Sequence, residues 1–417
     1  MNVSTAGHLH ETPDKGPTRP PLVHTDVAIV GAGVVGLTLA CALRHSGLSV
    51  TVIDTQNPAQ TAARERAYAF SPMSARIFQQ LGLWEQVGPY ITHFQRVRMS
   101  DADYGKAVNF YPNDSPADAV YYGAEHRVLI QALQGLAHNI HRLTSHYETT
   151  VTDIQSGPKT VQLTLEHNGQ QQRLQTQLLV GADGARSKIR DYAGIETSGW
   201  AYWQSCITTV LAPAKSHQNT AYEKFWPSGP FAILPIPGNR CQVVWTAPHA
   251  EAKAMVALSE QAFMAKLRHR YGSDMGELQM LKPPVMFPVQ LMQSQHYVQP
   301  HIALVGDAAH CCHPVGGQGL NMGIRDAAAL AKILHAAHAC HEPIGSLRVL
   351  KRYERWRRTE NWLILAMTDL LNRLFSNQVL PLLWLRRTGF WIIEHTRPLK
   401  RIILRVMTGF FGRQPIV

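Results

Sequence analysis

The 417 residues are 45% hydrophobic, 17% charged and 8% aromatic, enough apolar material for a large core, which excludes a disordered chain, a collagen, a coiled coil or a small disulfide scaffold. The length accommodates two or three domains, or two interleaved lobes. Of the formal charge of +11, nearly all falls from Arg348 onward, where 14 Lys/Arg face 4 Asp/Glu, so a basic tail, not a basic protein, needs explaining.

Residues 1–24 mix Pro and Gly with polar side chains, show no apolar period and are expected to form a disordered extension. Asp26 to Val30 then reads as a strand, Val34 to Arg44 as a helix with Gly47 as its C-cap, and Ser49 to Ile53 as a second strand: a βαβ unit. The uncharged run from Val27 to Leu43 has three internal glycines and falls short of the roughly 18–20 apolar residues of a spanning helix. Alternation between Val151 and Leu179, and the pair Phe231–Pro235 and Cys241–Trp245 joined through Pro237-Gly238-Asn239, predict antiparallel strands, the second pair a hairpin. A helix is expected over Ser259–Tyr271, a strand over His301–Val305, and a long buried helix from Leu320, where Ile324, Ala327, Ala328, Ala331 and Leu334 recur at helical spacing.

The six cysteines are scattered without C-x-x-C spacing, and no leader precedes them. They read as reduced thiols of a cytosol-like compartment. His310-Cys311-Cys312-His313 has metal-like composition, but adjacent residues cannot all converge on one ion, so no metal site is assigned.

Three motifs carry chemistry. Gly31-Ala32-Gly33-Val34-Val35-Gly36 lies between strand and helix, with Asp54 closing the next strand, which is a dinucleotide fingerprint. Gly31 permits the turn, Gly33 lets a pyrophosphate approach the backbone, Gly36 allows close packing of helix on strand, and Asp54 would receive ribose hydroxyls. Leu178 to Ser187 runs a strand into the Asp183-Gly184 turn. Val305-Gly306-Asp307, then Pro314, then Gly316-Gly317-Gln318-Gly319-Leu320-Asn321 forms a carboxylate turn, a glycine-dense loop and a helix start, against which a flat ring can lie with N–H groups aimed at its anionic edge.

At these residues the chain resembles the class A flavoprotein hydroxylases of the p-hydroxybenzoate hydroxylase type. It is most similar to their ubiquinone-biosynthesis branch, which includes 2-polyprenyl-6-methoxyphenol hydroxylase. The segments Arg66–Phe70, Tyr222-Glu223-Lys224-Phe225, Gly229–Pro235, Arg352-Tyr353-Glu354 and Thr368-Asp369 extend the resemblance over roughly Thr25 to Leu404. It implies an α/β fold in which a Rossmann-like FAD-binding domain of the glutathione-reductase type (25–95, 123–199 and 289–345) interleaves with an antiparallel-sheet substrate domain (96–122 and 200–288), followed by a basic helical region (346–417). It further implies that Gly31, Gly33, Gly36 and Asp54 hold the ADP half of FAD, and that Arg66 and Arg127 contact its ribose and pyrophosphate. Asp183 would serve FAD and passing NAD(P)H, Asp307 the ribityl chain, and Pro314, Gly317, Gln318, Gly319 and Asn321 the isoalloxazine. Asp54 stands where this branch often has Glu, a chemically equivalent acid.

The implied reaction uses NAD(P)H and O₂ to hydroxylate an aromatic ring, expected to be a polyprenylated phenol of quinone biosynthesis. No second fingerprint serves the nicotinamide, so that nucleotide binds in passing. No catalytic acid or base is assigned, and Tyr222, Phe225 and Trp245 are the candidate pocket residues. The same fold carries prenyl reductases and epoxidases, and a non-catalytic flavoprotein subunit of a quinone-biosynthesis assembly is a further alternative. In the tail, Leu382, Leu383, Trp384, Phe390, Trp391, Ile392 and Ile393 interleave with Arg386, Arg387, Arg397, Lys400, Arg401 and Arg405. This suggests a cytoplasmic protein that touches the inner, anionic face of a membrane, with two solvated basic helices as the plainer alternative and no nucleic-acid partner.

Overall fold

The structure, a computed structural model, describes residues 22–415 apart from 103 and 273. Val27, Ala28 and Ile29 are fully buried, the signature of a strand covered on both faces, and they lie in the strand Leu22–Val30 at the centre of an eight-stranded sheet. Its parallel neighbours are Gln170–Gly181 and Val50–Ile53. Ile302–Leu304 and Leu143–His146 extend the parallel set outward. Thr149–Ser156 and Val161–His167 add the antiparallel meander that the alternation signalled. The helix Val34–Ala42 packs between this sheet and the 22-residue helix Gln318–Ala339.

Two boundaries differ from the sequence reading. Most of the expected disordered extension, residues 1–21, lies outside the described residues, but Leu22–His24 continue the first strand, with Leu22 opposite Arg173 and His24 opposite Gln175. The long partner strand offers backbone hydrogen bonds that Leu22, Val23 and His24 take up, so the ladder reaches back to the point where the Pro- and Gly-rich composition ends. The first helix ends at Ala42, and Gly47, instead of capping it, takes φ +79° in the turn that leads to the next strand.

A nine-stranded sheet forms the second lobe. From one edge its strands run His310–Cys311, Val285–Ser294, Thr197–Pro213, Arg240–Pro248, Gly229–Ile236, Thr220–Trp226, Arg96–Asp101 and Ala107–Phe110, with Leu278–Met280 beside Thr197–Pro213. The expected hairpin is present: Phe231 pairs with Trp245 and Ile236 with Arg240, and in the three-residue connection Pro237-Gly238-Asn239 the last two residues take φ +78° and +51°. Helices His249–Val256 and Glu260–Tyr271 cover the outer face, where Ile207, Phe231, Val243 and Trp245 pack with Phe263 and Leu267. The inner face looks toward the first lobe. A small sheet of Ala67–Phe70, Tyr122–Glu125 and Thr92–His93 lies between them.

The helix Leu347–Phe375 anchors the tail on both lobes. Tyr353 donates to the Leu304 carbonyl at 2.8 Å, and the fully buried Arg357 donates to Asp326 at 2.8 Å, to Asn361 at 2.7 Å and to Glu360. Two further helices follow, Leu380–His395 and Arg397–Thr408. Their basic residues are not all solvated. Arg386 is 4% exposed and pairs with Asp101 at 2.9 Å, Arg387 reaches the same carboxylate at 3.1 Å, and Lys400 is buried against Glu394 at 2.9 Å. Only Arg397, Arg401 and Arg405 of the six named basic side chains stand exposed, spaced along one helix face.

Candidate active site

Between the lobes lies a cavity of about 420 Å³ that meets both the glycine motifs and the inner face of the large sheet. On the first side the fingerprint is folded as its glycines require. Gly31 has φ +112°, and a Cβ there would come within 2.3 Å of the Ala182 carbonyl; at Gly36 a Cβ would lie 1.9 Å from the Gly31 carbonyl. Both glycines therefore serve close packing and stand back from the cavity. Gly33 differs: it lines the cavity, a Cβ there meets nothing within 4 Å, and it is the N-cap of the helix Val34–Ala42, with no side chain closing the helix end. That leaves a positive helix terminus open to a phosphate. Asp54 ends its strand as expected and receives the Ala32 N–H at 2.6 Å and the Gln56 N–H at 2.8 Å, which fixes the turn and leaves lone pairs on both oxygens.

The second and third motifs converge beside it. Asp183 Oδ2 accepts from the Ile189 N–H at 3.3 Å, whereas its Oδ1 is buried with no partner among the described residues, and Gly184, next in the turn, lines the cavity. An orphaned buried acceptor asks for a donor that the protein does not supply. Asp307 opens into the cavity, and no hydrogen bond or ion pair from the protein reaches its carboxylate among the described residues. Protein surrounds it on the remaining sides, and this burial raises its pKa above the usual carboxylate range while His310 and Arg66 pull it back. Pro314, Gly317 and Gly319 line the cavity at the start of the central helix. Gly317 has φ +61°, and a Cβ there would come within 2.8 Å of the Ala69 Cβ. No side chain caps this helix either.

Behind that loop is a buried lattice of hydrogen bonds. Asp326 receives the Gly306 N–H at 3.2 Å, His310 Nε2 at 2.5 Å, Arg357 and Asn361, which places a charged network directly under the turn that carries Asp307. Burial alone would raise the Asp326 pKa, but His310 and Arg357 outweigh it and hold the carboxylate well below its ordinary range. Asn321 belongs to the same scaffolding and does not line the cavity: its amide oxygen accepts from the Ser71 N–H at 2.7 Å and Ser74 Oγ at 2.8 Å, and its nitrogen donates to the carbonyls of Ala69 and Gly317. Gln318 touches the cavity, but its nitrogen is committed to Tyr121 and to the carbonyls of Gly316 and Met407.

The arginines separate. Arg66 lines the cavity with its guanidinium 5.4 Å above the Phe287 ring. Arg127 is exposed in the first turn of the helix His126–His138, outside the lining. His126, its neighbour in the chain, lines the cavity instead, with Nε2 2.9 Å from the Thr61 carbonyl and Nδ1 3.0 Å from the Tyr68 hydroxyl, the pattern of a neutral ring; burial lowers its pKa accordingly. In His310-Cys311-Cys312-His313 the side chains diverge. His310 is tied to Asp326, His313 accepts from the Val315 N–H at 3.2 Å with its pKa lowered to about 3 by burial, and the two cysteines face the cavity. All six cysteines are free thiols.

Opposite this wall, alternate residues of the large sheet make a floor: Ala221 and Glu223, then Pro230, Ala232 and Leu234, then Gln242, Val244 and Thr246. Of the three expected pocket residues only Tyr222 reaches the cavity. Trp245, 1% exposed, points to the outer face, because Val244 and Thr246 occupy the inner positions of its strand. Phe225 shares the parity of Glu223 but lies two residues further along, where it stacks on Phe375 with centroids 4.1 Å apart. The sequence reading passed over Glu223, Tyr68, His126 and the roof residues Met367 and Leu371, although strand alternation marks Glu223 as a partner of Ala221 on one face.

The sequence profile of the FAD binding domain family matches residues 24–368. The chain belongs to this family. It is 48% identical over 390 residues to the uncharacterized protein slr1300 of Synechocystis, with 94% of each chain covered. It is 37% identical over 387 residues to the ubiquinone hydroxylase UbiL of Rhodospirillum rubrum, covering 92% of this chain and 89% of that one. The fold is that of the p-nitrophenol 4-monooxygenase PnpA from Pseudomonas putida DLL-E4, with a TM-score of 0.79 at 19% identity, over 94% of this chain and 99% of the other. The protein is an FAD-dependent monooxygenase.

Proposed function

We propose that this monooxygenase hydroxylates the ring of a prenylated phenol in quinone biosynthesis. The observation that carries the reading is the cavity itself, in which backbone-rich motifs with the unpartnered Asp307 carboxylate and the orphaned Oδ1 of Asp183 face a floor built largely of apolar side chains with a few polar ones among them. The relative that bears the name ubiquinone hydroxylase supports a quinone precursor as the substrate.

The residues fit FAD. Gly33 and the open helix end behind it would take the pyrophosphate, with Arg66 at its flank and Arg127 swung in from the surface. Asp54 would hold the adenosine ribose, the orphaned Oδ1 of Asp183 would accept a cofactor hydroxyl, and Asp307 would receive the ribityl chain. Pro314, Gly317 and Gly319 would lie against the flat ring, with the N-terminus of the central helix directed at its electron-rich edge. When bound, FAD supplies hydride acceptance from NAD(P)H and activation of O₂. The protein's own work is to seat the aromatic ring on the floor against Ala232 and Val244, to cover it with Met367 and Leu371 from the long helix, and to keep water out. Incubation with NAD(P)H, isotopically heavy O₂ and a prenylated phenol should give a product with one heavy oxygen on the ring. NAD(P)H consumption without a labelled product from any phenol tried would refute the reading.

A prenylated substrate resides in a bilayer, and the tail is suited to meet one. Leu380, Trp384, Leu385 and Trp391 are 68%, 70%, 61% and 52% exposed on the helix Leu380–His395, and Arg397, Arg401 and Arg405 stand free on the next. No helix among the described residues is long and apolar enough to cross a membrane. Contact with the inner membrane face, or with a quinone-biosynthesis assembly there, forms part of the same proposal. At about 1 kcal/mol per basic residue, the three arginines give salt-sensitive adhesion on top of the apolar anchors. The protein is expected to sediment with anionic vesicles, and replacement of the three arginines by Gln should weaken sedimentation without loss of flavin.

A further inference from the structure

Among the described residues, Glu223 is the only Asp, Glu, Lys, Arg or His side chain that the large sheet's strands within 96–101, 197–248 and 285–294 send into the cavity. Its neighbours across the two ladders are Met99 and Ala232, neither of which can hydrogen-bond through its side chain to a carboxyl. No hydrogen bond or ion pair from the protein reaches it among the described residues. A carboxyl left without a partner on a floor whose other side chains are neutral and mostly apolar costs free energy unless something arrives to satisfy it. Glu223 faces the space that the ring must occupy, because the opposite wall consists of the motifs that would receive the flavin. A prenylated phenol is apolar over most of its surface and has its hydroxyl on the ring.

We propose that Glu223 receives the substrate's ring hydroxyl, holding the ring by an O–H···O hydrogen bond and accepting its proton as the ring is hydroxylated. The inference rests on the hydroxylase reading above. In the step the phenolic O–H bond breaks and a carboxyl O–H bond forms. The electron pair stays on the phenolic oxygen and raises the electron density of the ring carbons ortho and para to it. The oxygen atom comes from O₂ and the electrons from NAD(P)H; a ring C–O bond forms, the C–H bond at that carbon breaks and its hydrogen leaves as a proton, the second oxygen atom of O₂ leaves as water, and the proton held by Glu223 returns to the phenolic oxygen of the product. Burial raises the Glu223 pKa to about 8, so near neutral pH only the ionised fraction takes the proton and the step speeds up as pH rises toward 9; that value also lies nearer to a phenol's ordinary value of about 10 than a free carboxylate's of about 4, which narrows the gap the proton must cross.

The test uses the FAD-loaded enzyme, a geranylated methoxyphenol, and the O-methyl ether of that phenol, with binding followed by the absorbance of the bound flavin. At pH 9, where the Glu223 carboxyl is largely ionised, wild type should prefer the phenol by about tenfold to a hundredfold, the range of a hydrogen bond to a charged group. Glu223→Leu should abolish the preference while retaining flavin. Glu223→Gln can still hydrogen-bond, so it should keep part of the preference yet hydroxylate about a hundredfold more slowly, since an amide cannot take the proton. A phenol preference that survives in Glu223→Leu would overturn the proposal. If that variant fails to hold flavin, Glu223→Gln decides alone, and an undiminished hydroxylation rate overturns the proposal. A wild-type enzyme that binds both probes equally removes the role of Glu223 and leaves the hydroxylase reading standing, whereas one that neither binds nor oxidises any phenol removes both.

Discussion

The two walls of the cavity are built on opposite plans. The cofactor wall is main chain and glycine, held from behind by side chains that spend their hydrogen bonds on one another: Asp326 on His310, Arg357, Asn361 and the Gly306 N–H, and Asn321 on Ser71, Ser74, Ala69 and Gly317. The floor is side chain, drawn from several strands by their two-residue alternation, and it is apolar apart from Glu223 and a few neutral groups. A wall for an invariant cofactor rewards rigidity and a fixed pattern of N–H and carboxylate groups. A floor for one hydrophobic ring rewards shape, which many residue combinations can provide.

The largest effect is expected from breaking the lattice behind the cofactor wall. Asp326→Ala leaves the buried Arg357 with Glu360 as its remaining carboxylate and strips His310 and the Gly306 N–H of their acceptor, which should cost about 3–5 kcal/mol in denaturant unfolding, together with loss of FAD, because the Gly306–Asp307 turn loses its anchor. Retention of flavin at wild-type affinity in this variant would mean that the turn holds itself. On the far side, Trp245→Ala opens a void in the outer core, with a destabilisation of about 3–5 kcal/mol, but per folded molecule it should leave FAD affinity and phenol affinity within about twofold. A large change in phenol binding would put Trp245 in the site after all.

A smaller effect sharpens the floor's single charge. Because burial raises the Glu223 pKa to about 8, the folded apoprotein binds a proton more tightly than the unfolded chain between about pH 4 and pH 8, so this group's contribution to stability falls as pH rises through that window. Glu223→Gln should remove this slope. Relative to wild type its unfolding midpoint should improve from pH 5 to pH 8, and a constant difference across the window would contradict the assignment. Smaller still is Asp307→Ala. Its carboxylate has no protein partner among the described residues, so the variant should fold at nearly wild-type stability and lose only flavin affinity, by about tenfold, read by flavin fluorescence on dilution.

This asymmetry explains what was legible in the sequence. The βαβ unit, the hairpin at Gly238-Asn239 and the glycine-headed central helix could be read because each is set by neighbours in the chain. Asn321 was placed in the right loop but given the wrong task, since its partners Ser71 and Ala69 are some 250 residues distant and no local pattern announces them. Phe225 and Trp245 were chosen for their aromatic character, and the error lies in register: Trp245 has the outer parity, and Phe225 has the inner parity beyond the cavity's end. The basic tail was visible as composition. Which of its charges are free was not, because Asp101 and Glu394, which neutralise Arg386, Arg387 and Lys400, are brought to them by the fold.

The central claim, that the cofactor wall and the apolar floor act together on a phenol, is tested most directly by the rate at which NAD(P)H bleaches the bound flavin in the absence of oxygen, with and without a prenylated phenol. An enzyme whose floor must be filled before the flavin is committed should bleach at least about tenfold faster with the phenol present. Equal rates with and without every phenol tried would contradict the account.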